Sequence, residues 1–150
     1  MNGWILAATV ELAGGGAAAL WGVTTGPTGR RVIAQNLATS ALCPALLLLS
    51  QGYGRPSYVD LALLLALLGP VGTLVFARLL AAELERERPS AWALTWAAAG
   101  LGAVVVAAVC AATAPGRATV KLLVVGALLI GGNVIASRAL SGGFQGVRGG

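Results

Sequence analysis

The chain has no histidine and only two cysteines, Cys43 and Cys110, each set in an apolar run. Two isolated thiols without histidine do not assemble a usual zinc ligand set, and each reads as a small core residue. Charge is scarce as well. Asp, Glu, Lys and Arg supply 10% of the 150 residues, against roughly 25% in a soluble domain. No polar region is long enough to shape a site for a soluble substrate. No nucleophile–base pair or cluster of metal ligands stands out, so neither catalysis, a cofactor nor a bound metal is expected. The glycine cluster "AGGGAAAL" lies inside an apolar run and lacks the Lys-Ser/Thr ending of a phosphate loop. The formal charge is +5. With so few charges, that excess reads as membrane topology rather than as nucleic-acid binding.

What is present is apolar. Hydrophobic residues make up 57% of the chain and the mean hydropathy is +0.85. A membrane span needs about 20 consecutive apolar residues, and the breakers leave five such runs: about 3–24, 32–50, 57–80, 91–113 and 120–140. The first is too long for a signal-peptide core, has no basic start and is interrupted by Glu11, so it is kept as a span. "TGPTGRR", "QGYGRPS", "ELERERPS" and "APGR" separate the runs, and "SGGFQGVRGG" reads as a loose tail. In "ELERERPS", Glu83 with Arg86 and Glu85 with Arg88 are spaced to pair weakly on a solvated helix end. Lipid requires each element to satisfy its own backbone, and sheet-like alternation is absent. The fold class is therefore all-α integral membrane, with about five transmembrane helices. Ala and Gly are abundant within them, which suits close helix packing.

Basic residues orient the chain. Arg30, Arg31, Arg78, Arg86, Arg88, Arg138 and Arg148 fall on one side, and Arg55, Arg117 and Lys121 on the other. The richer side is cytoplasmic, placing the N-terminus outside and the C-terminus inside. Trp4, Trp21, Tyr53 and Tyr58 sit where interface anchors belong.

Few residues within the spans carry chemistry. Glu11 lies roughly 12 Å along its helix, from a rise of 1.5 Å per residue. A carboxylate there either handles a proton or cation or is protonated and hydrogen-bonded to a neighbour. Asp60 opens the run "SYVDLALLLALLGPVGTLVFARLL". It is either a helix-start acid near Ser57, favoured by the helix dipole, or part of an ion path. Gln35 and Asn36 read as interhelical glue or as part of a cation path, with Thr39 and Ser40 nearby. Pro44 and Pro70 each remove a helical hydrogen bond and are expected to kink their helices, and the freed carbonyls offer cation ligands. Lys121 is expected to snorkel to the outer interface. Asn133 is too far from it on the same helix to touch it.

"GPTGRRVIAQNL" followed by "SYVDLALLLALLGPVGTLVFARLL" resembles the MnhF-type component of the Mrp-type (Mnh, Pha) multisubunit cation/proton antiporters. Gly26, Pro27, Thr28, Arg31, Val32, Ile33 and Ala34 fit the turn of that small three-helix protein. Asp60, Gly69, Gly72, Thr73, Ala77 and Arg78 fit its third span. The likeness runs over about residues 1–85. The stretch from about 90 to 143 is similar to the MnhG-type component of the same antiporters without its first helix. "TWAAAGLGAVVVAA" is like that component's second span and "KLLVVGALLIGGNVIASRAL" like its last, with Asn133 in place, Val134 for the usual Pro and Arg138 for the usual His. The resemblance implies an MnhF-like part at 1–88, an MnhG-like part at 89–143 and a flexible tail at 144–150.

It also implies an accessory subunit in a cell (inner or plasma) membrane, partnered by other antiporter subunits and the bilayer, with Na⁺, K⁺ or H⁺ as the transported ions. Arg30 and Asn36 stand where the family has acids, and Pro70 replaces an apolar or aromatic residue. The expectation is that this chain alone does not move ions. Two rivals remain. One is a stand-alone proton-coupled exporter using Glu11, against which count the fifth span and the lack of an aromatic cage. The other is a scaffold without a transport role.

Overall fold

The structure, a computed structural model, describes residues 2–25, 27–80, 82 and 92–142. The proposed Glu83–Arg86 and Glu85–Arg88 pairs, the turn residue Gly26 and the 144–150 tail lie outside the described residues.

Five helices account for nearly all of what is described: α1 (Gly3–Thr24), α2 (Thr28–Tyr53), α3 (Ser57–Leu79), α4 (Trp92–Ala112) and α5 (Arg117–Gly142). Their bounds follow the breakers to within about four residues, the usual scatter at helix ends being smaller by half. The largest differences are at the starts of α2 and α5, which begin earlier than the apolar runs because Arg30 and Arg31, and Arg117, join each helix ahead of its apolar part. Among the described residues, four helices are long and apolar enough to cross a membrane: Gly3–Thr24, Gly29–Tyr53, Ser57–Leu79 and Arg117–Ala139. The apolar stretch of α4, Trp96–Ala112, is shorter. Both prolines sit inside helices that continue through them, Pro44 in α2 and Pro70 in α3.

The turn between α2 and α3 shows local chemistry at work. Gly54 takes a left-handed conformation, φ 63°, that only glycine adopts without cost. Its N–H and that of Arg55 both donate to the Ser50 carbonyl at the end of α2. Tyr53 and Tyr58 stack across this turn with ring centroids 6.1 Å apart.

Contacts define the topology. Ile5 lies against Gly52, Ala41 against Gly15 and Ala34 against Gly22. One number rises as the other falls, so α1 and α2 are antiparallel. They approach so closely that a side chain on any of these glycines would collide with its neighbour. Thr39 with Gly69 and Asn36 with Thr73 make α2 and α3 antiparallel. Asp60 with Lys121 and Pro70 with Gly132 rise together, so α3 and α5 are parallel. The chain thus runs up and down through the bundle, and α1 starts at the opposite end from that at which α5 finishes. Helix α2 packs against all four others.

The bundle is lined with small residues and coated with large ones. On α3 the buried positions are Ala62, Ala66, Thr73 and Ala77, one face of a helix. Leu61, Leu64, Leu67, Leu68, Val71 and Val75 are exposed on its other faces. The core joins Ala8, Cys43, Leu47, Ala62 and Ala66 to Val105, Val109, Leu122, Val125 and Leu129. Cys43 is fully buried there and Cys110 packs against it, as expected of small apolar residues. An apolar exterior over a small-residue interior is the arrangement that suits lipid, where close van der Waals packing and not apolar burial holds helices together.

Candidate functional site

Asn36 and Ser40 of α2 point inward because α2 is the central helix. Asn36, half-buried, and Ser40, one turn later, face α5, where Asn133 is 2% exposed. Asn36 Nδ2 donates to Asn133 Oδ1 at 2.6 Å. Ser40 Oγ lies 2.8 Å from the Asn36 carbonyl and 3.2 Å from Asn133 Oδ1, so its single proton serves one of the two at a time. From α3, buried Thr73 reaches Asn36 Oδ1 at 3.3 Å and the Gly69 carbonyl at 3.1 Å. Three helices therefore meet through amides and hydroxyls. Among the described residues, Asn133 Nδ2 is the one buried side-chain polar atom without a hydrogen-bond partner.

Glycine makes this crossing possible. A side chain on Gly132 would overlap the Pro70 ring, and one on Gly69 would overlap the Thr39 methyl. Asn133 can reach α2 only because the residue before it lets α5 close onto α3. A cavity of about 10 Å³ remains at the centre, walled by Asn36, Thr39, Ser40, Cys43, Ala66, Pro70, Leu129 and Asn133. The cluster contains no ionisable side chain apart from the Cys43 thiol. It can hold and orient a small polar species, but its amides and hydroxyls do not exchange a proton at neutral pH.

The other candidates lie apart from this crossing. Asp60 is in the first turn of α3, as expected, and it has a partner: Lys121 Nζ on α5, at 2.7 Å. Both side chains are more than half exposed. Lys121, expected to snorkel to the outer interface, closes an exposed ion pair between the starts of two parallel helices. Glu11 is half-buried on α1, and among the described residues no hydrogen bond or ion pair reaches its carboxylate. Gln35 turns away from the crossing to line an apolar groove of about 660 Å³ with Arg31, Ala19, Leu20 and Phe76. Pro44 is fully buried. Two contacts were invisible from spacing: Gln51 Nε2 donates to Thr113 Oγ1 at 3.0 Å, tying the ends of α2 and α4, and Arg30 lies over the Trp21 ring at 5.2 Å. The signal that was available is that Asn133, Thr73 and Ser40 are polar residues in otherwise apolar helices. Such residues seek one another in a medium without water.

No curated protein and no solved structure matches the chain. Residues 30–81, about a third of the chain, match the family described as Multiple resistance and pH regulation protein F (MrpF / PhaF); the match takes in α3 and nearly all of α2, with Asn36, Ser40 and Thr73, while α1, α4 and α5 lie outside it.

Proposed function

We propose that this chain is an accessory membrane subunit of an Mrp-type multisubunit cation/proton antiporter or a related ion-pumping complex. The observation that carries the reading is the MrpF / PhaF match over residues 30–81. The sequence resemblance of residues 1–88 to the MnhF-type component and of 89–143 to a shortened MnhG-type component extends it. On this reading the larger antiporter subunits carry the proton channels, and this chain helps to form the ion path or the seam between modules. Two features favour dependence on partners. By the resemblance, Asn36 stands where the family has an acid, leaving the polar crossing without charge, and Arg30 stands at a second such position. Large apolar side chains cover the outside of α3, a surface equally suited to lipid or to the helices of a neighbouring protein. The chain has no catalytic role of its own, spans the cell membrane with its N-terminus outside, and meets Na⁺, K⁺ or H⁺ only within the complex.

Purification from its own host in mild detergent, with the co-purifying chains identified, tests the reading. Large multi-span antiporter subunits are expected with it. The purified chain in vesicles under an imposed pH gradient should show no Na⁺- or K⁺-dependent proton flux. Robust flux abolished by Glu11→Gln would replace the accessory reading with a stand-alone exporter, a role that a half-buried carboxylate on α1 would suit. Within the complex, Glu11→Gln should reduce antiport more than Asp60→Asn, because Asp60 already has a structural partner in Lys121. Normal activity in both would make this chain a scaffold. Sidedness is tested by a cysteine introduced at Ser90, which should label only from the cytoplasmic face.

A further inference from the structure

We propose that the crossing of α2, α3 and α5 is a binding site for one internal water molecule, held between the Asn133 side-chain amide and the Ala66 main-chain carbonyl. Three independent features converge on it. The first is the unmet half of the Asn133 amide. Its Oδ1 faces two donors, Asn36 Nδ2 at 2.6 Å and Ser40 Oγ at 3.2 Å, while its buried Nδ2 meets no partner among the described residues. Buried polar groups in folded proteins are nearly always satisfied, and ordered water serves where protein does not.

The second feature is size. The cavity of about 10 Å³ beside Asn133 corresponds to about one water probe sphere, the least space that holds a water. The third is backbone chemistry. Pro70 has no N–H, so the Ala66 carbonyl four residues earlier loses its α-helical donor. Ala66 and Pro70 both form the cavity wall. The Ser40 carbonyl loses its donor to Pro44 in the same way, and Ser40 also lines the cavity. A water accepting from Asn133 Nδ2 and donating to these carbonyls makes two to three hydrogen bonds, the usual complement of a buried water.

The chemistry favours water over an ion. Asn133 Nδ2 is a donor and repels a cation. Turning both amides over exchanges their roles, because Thr73 Oγ1 accepts as readily as it donates, and leaves Asn133 Oδ1 as the unmet group. Water satisfies either arrangement, since it both donates and accepts. A cation satisfies only the second. This inference does not rest on the proposed function, because it follows from the packing of the chain's own helices.

The test uses the full chain in nanodiscs, with magnetisation transfer from water to the Asn133 side-chain NH₂ protons measured by NMR. Samples in sodium chloride and in choline chloride are compared. Transfer of equal strength in both is the expected result, with Asn133→Leu abolishing the water transfer to the amides lining the cavity. Transfer absent in the wild-type chain, with the Asn133 amide in contact only with protein protons, overturns the proposal. So does a signal that moves or disappears when choline replaces sodium, since the occupant would then be the cation. The wild-type comparison decides the matter even where Asn133→Leu fails to fold.

Discussion

Two of the polar contacts that tie helix α5 to the rest of the bundle differ in kind. Near its start, Lys121 meets Asp60 of α3 at 2.7 Å, with both side chains more than half exposed. Twelve positions later, roughly 18 Å along the helix at 1.5 Å per residue, Asn133 meets Asn36 and Ser40 at the buried centre. The first contact is made of full charges and the second of neutral dipoles. Formal charge would rank the ion pair higher. Environment reverses the order, because an exposed pair is screened and spends side-chain entropy on holding its geometry, whereas a buried donor or acceptor that loses its partner has no solvent to turn to. Stability is thus expected to sit in the amide cluster.

The largest effect is expected from Gly132→Leu. A side chain there collides with the Pro70 ring, forcing α5 away from α3 and drawing Asn133 out of reach of α2. Overpacking of this kind costs about 1–3 kcal/mol or more, and thermal unfolding in detergent should show it as a large drop in Tm. A stability equal to wild type would mean that α5 does not close onto Pro70.

Asn133→Ala comes next. It strands the Asn36 amide and leaves the Ser40 hydroxyl with one acceptor fewer at the centre. A loss of about 1–2 kcal/mol is expected, tempered by partners that an unfolded chain finds in the membrane. A double-mutant cycle with Asn36→Ala should return a coupling of at least about 0.5 kcal/mol. Additive effects would break the comparison by showing that the two amides do not interact.

The smallest effect belongs to the ion pair. Asp60→Asn and Lys121→Met should each change stability by less than about 1 kcal/mol, and raising salt should shrink the difference further. Asn remains an acceptable residue at a helix start. A loss from Asp60→Asn as large as that from Asn133→Ala would invert the ranking and place Asp60 in a drier setting than its exposure indicates.

Much of the helical architecture could be read from residues alone. Gly-Pro, Gly-Tyr-Gly and Pro-Gly segments mark the turns where polar residues flank them, whereas Gly69-Pro70, set in a long apolar run, stays inside α3. The small inner face of α3 was foreshadowed by alanine and glycine, although which face would be inward was not. The site was legible only in fragments. Asn36 read as interhelical glue or as part of a cation path, and in the structure it donates across helices to Asn133. Gln35, one residue away, looked equivalent and instead faces a groove, because neighbours on a helix point about 100° apart and only packing decides which turns inward. Lys121 and Asn133 were conspicuous as polar residues, but their partners lie 61 and 97 residues away, beyond any local spacing rule.

By itself the sequence determined that the chain forms apolar helices and nearly where each of the five among the described residues begins and ends. These follow from composition and from local breakers, which act through the few residues around them whatever the rest of the chain does. Only the tertiary structure decided that α2 lies at the centre, that α3 and α5 run parallel in contact, and that Asp60 pairs with Lys121 while Asn36 pairs with Asn133. A lone apolar helix carries its polar groups at known positions without specifying their partners. Those are chosen when glycine and alanine surfaces bring backbones close, and the loss of water makes every unpaired donor and acceptor costly.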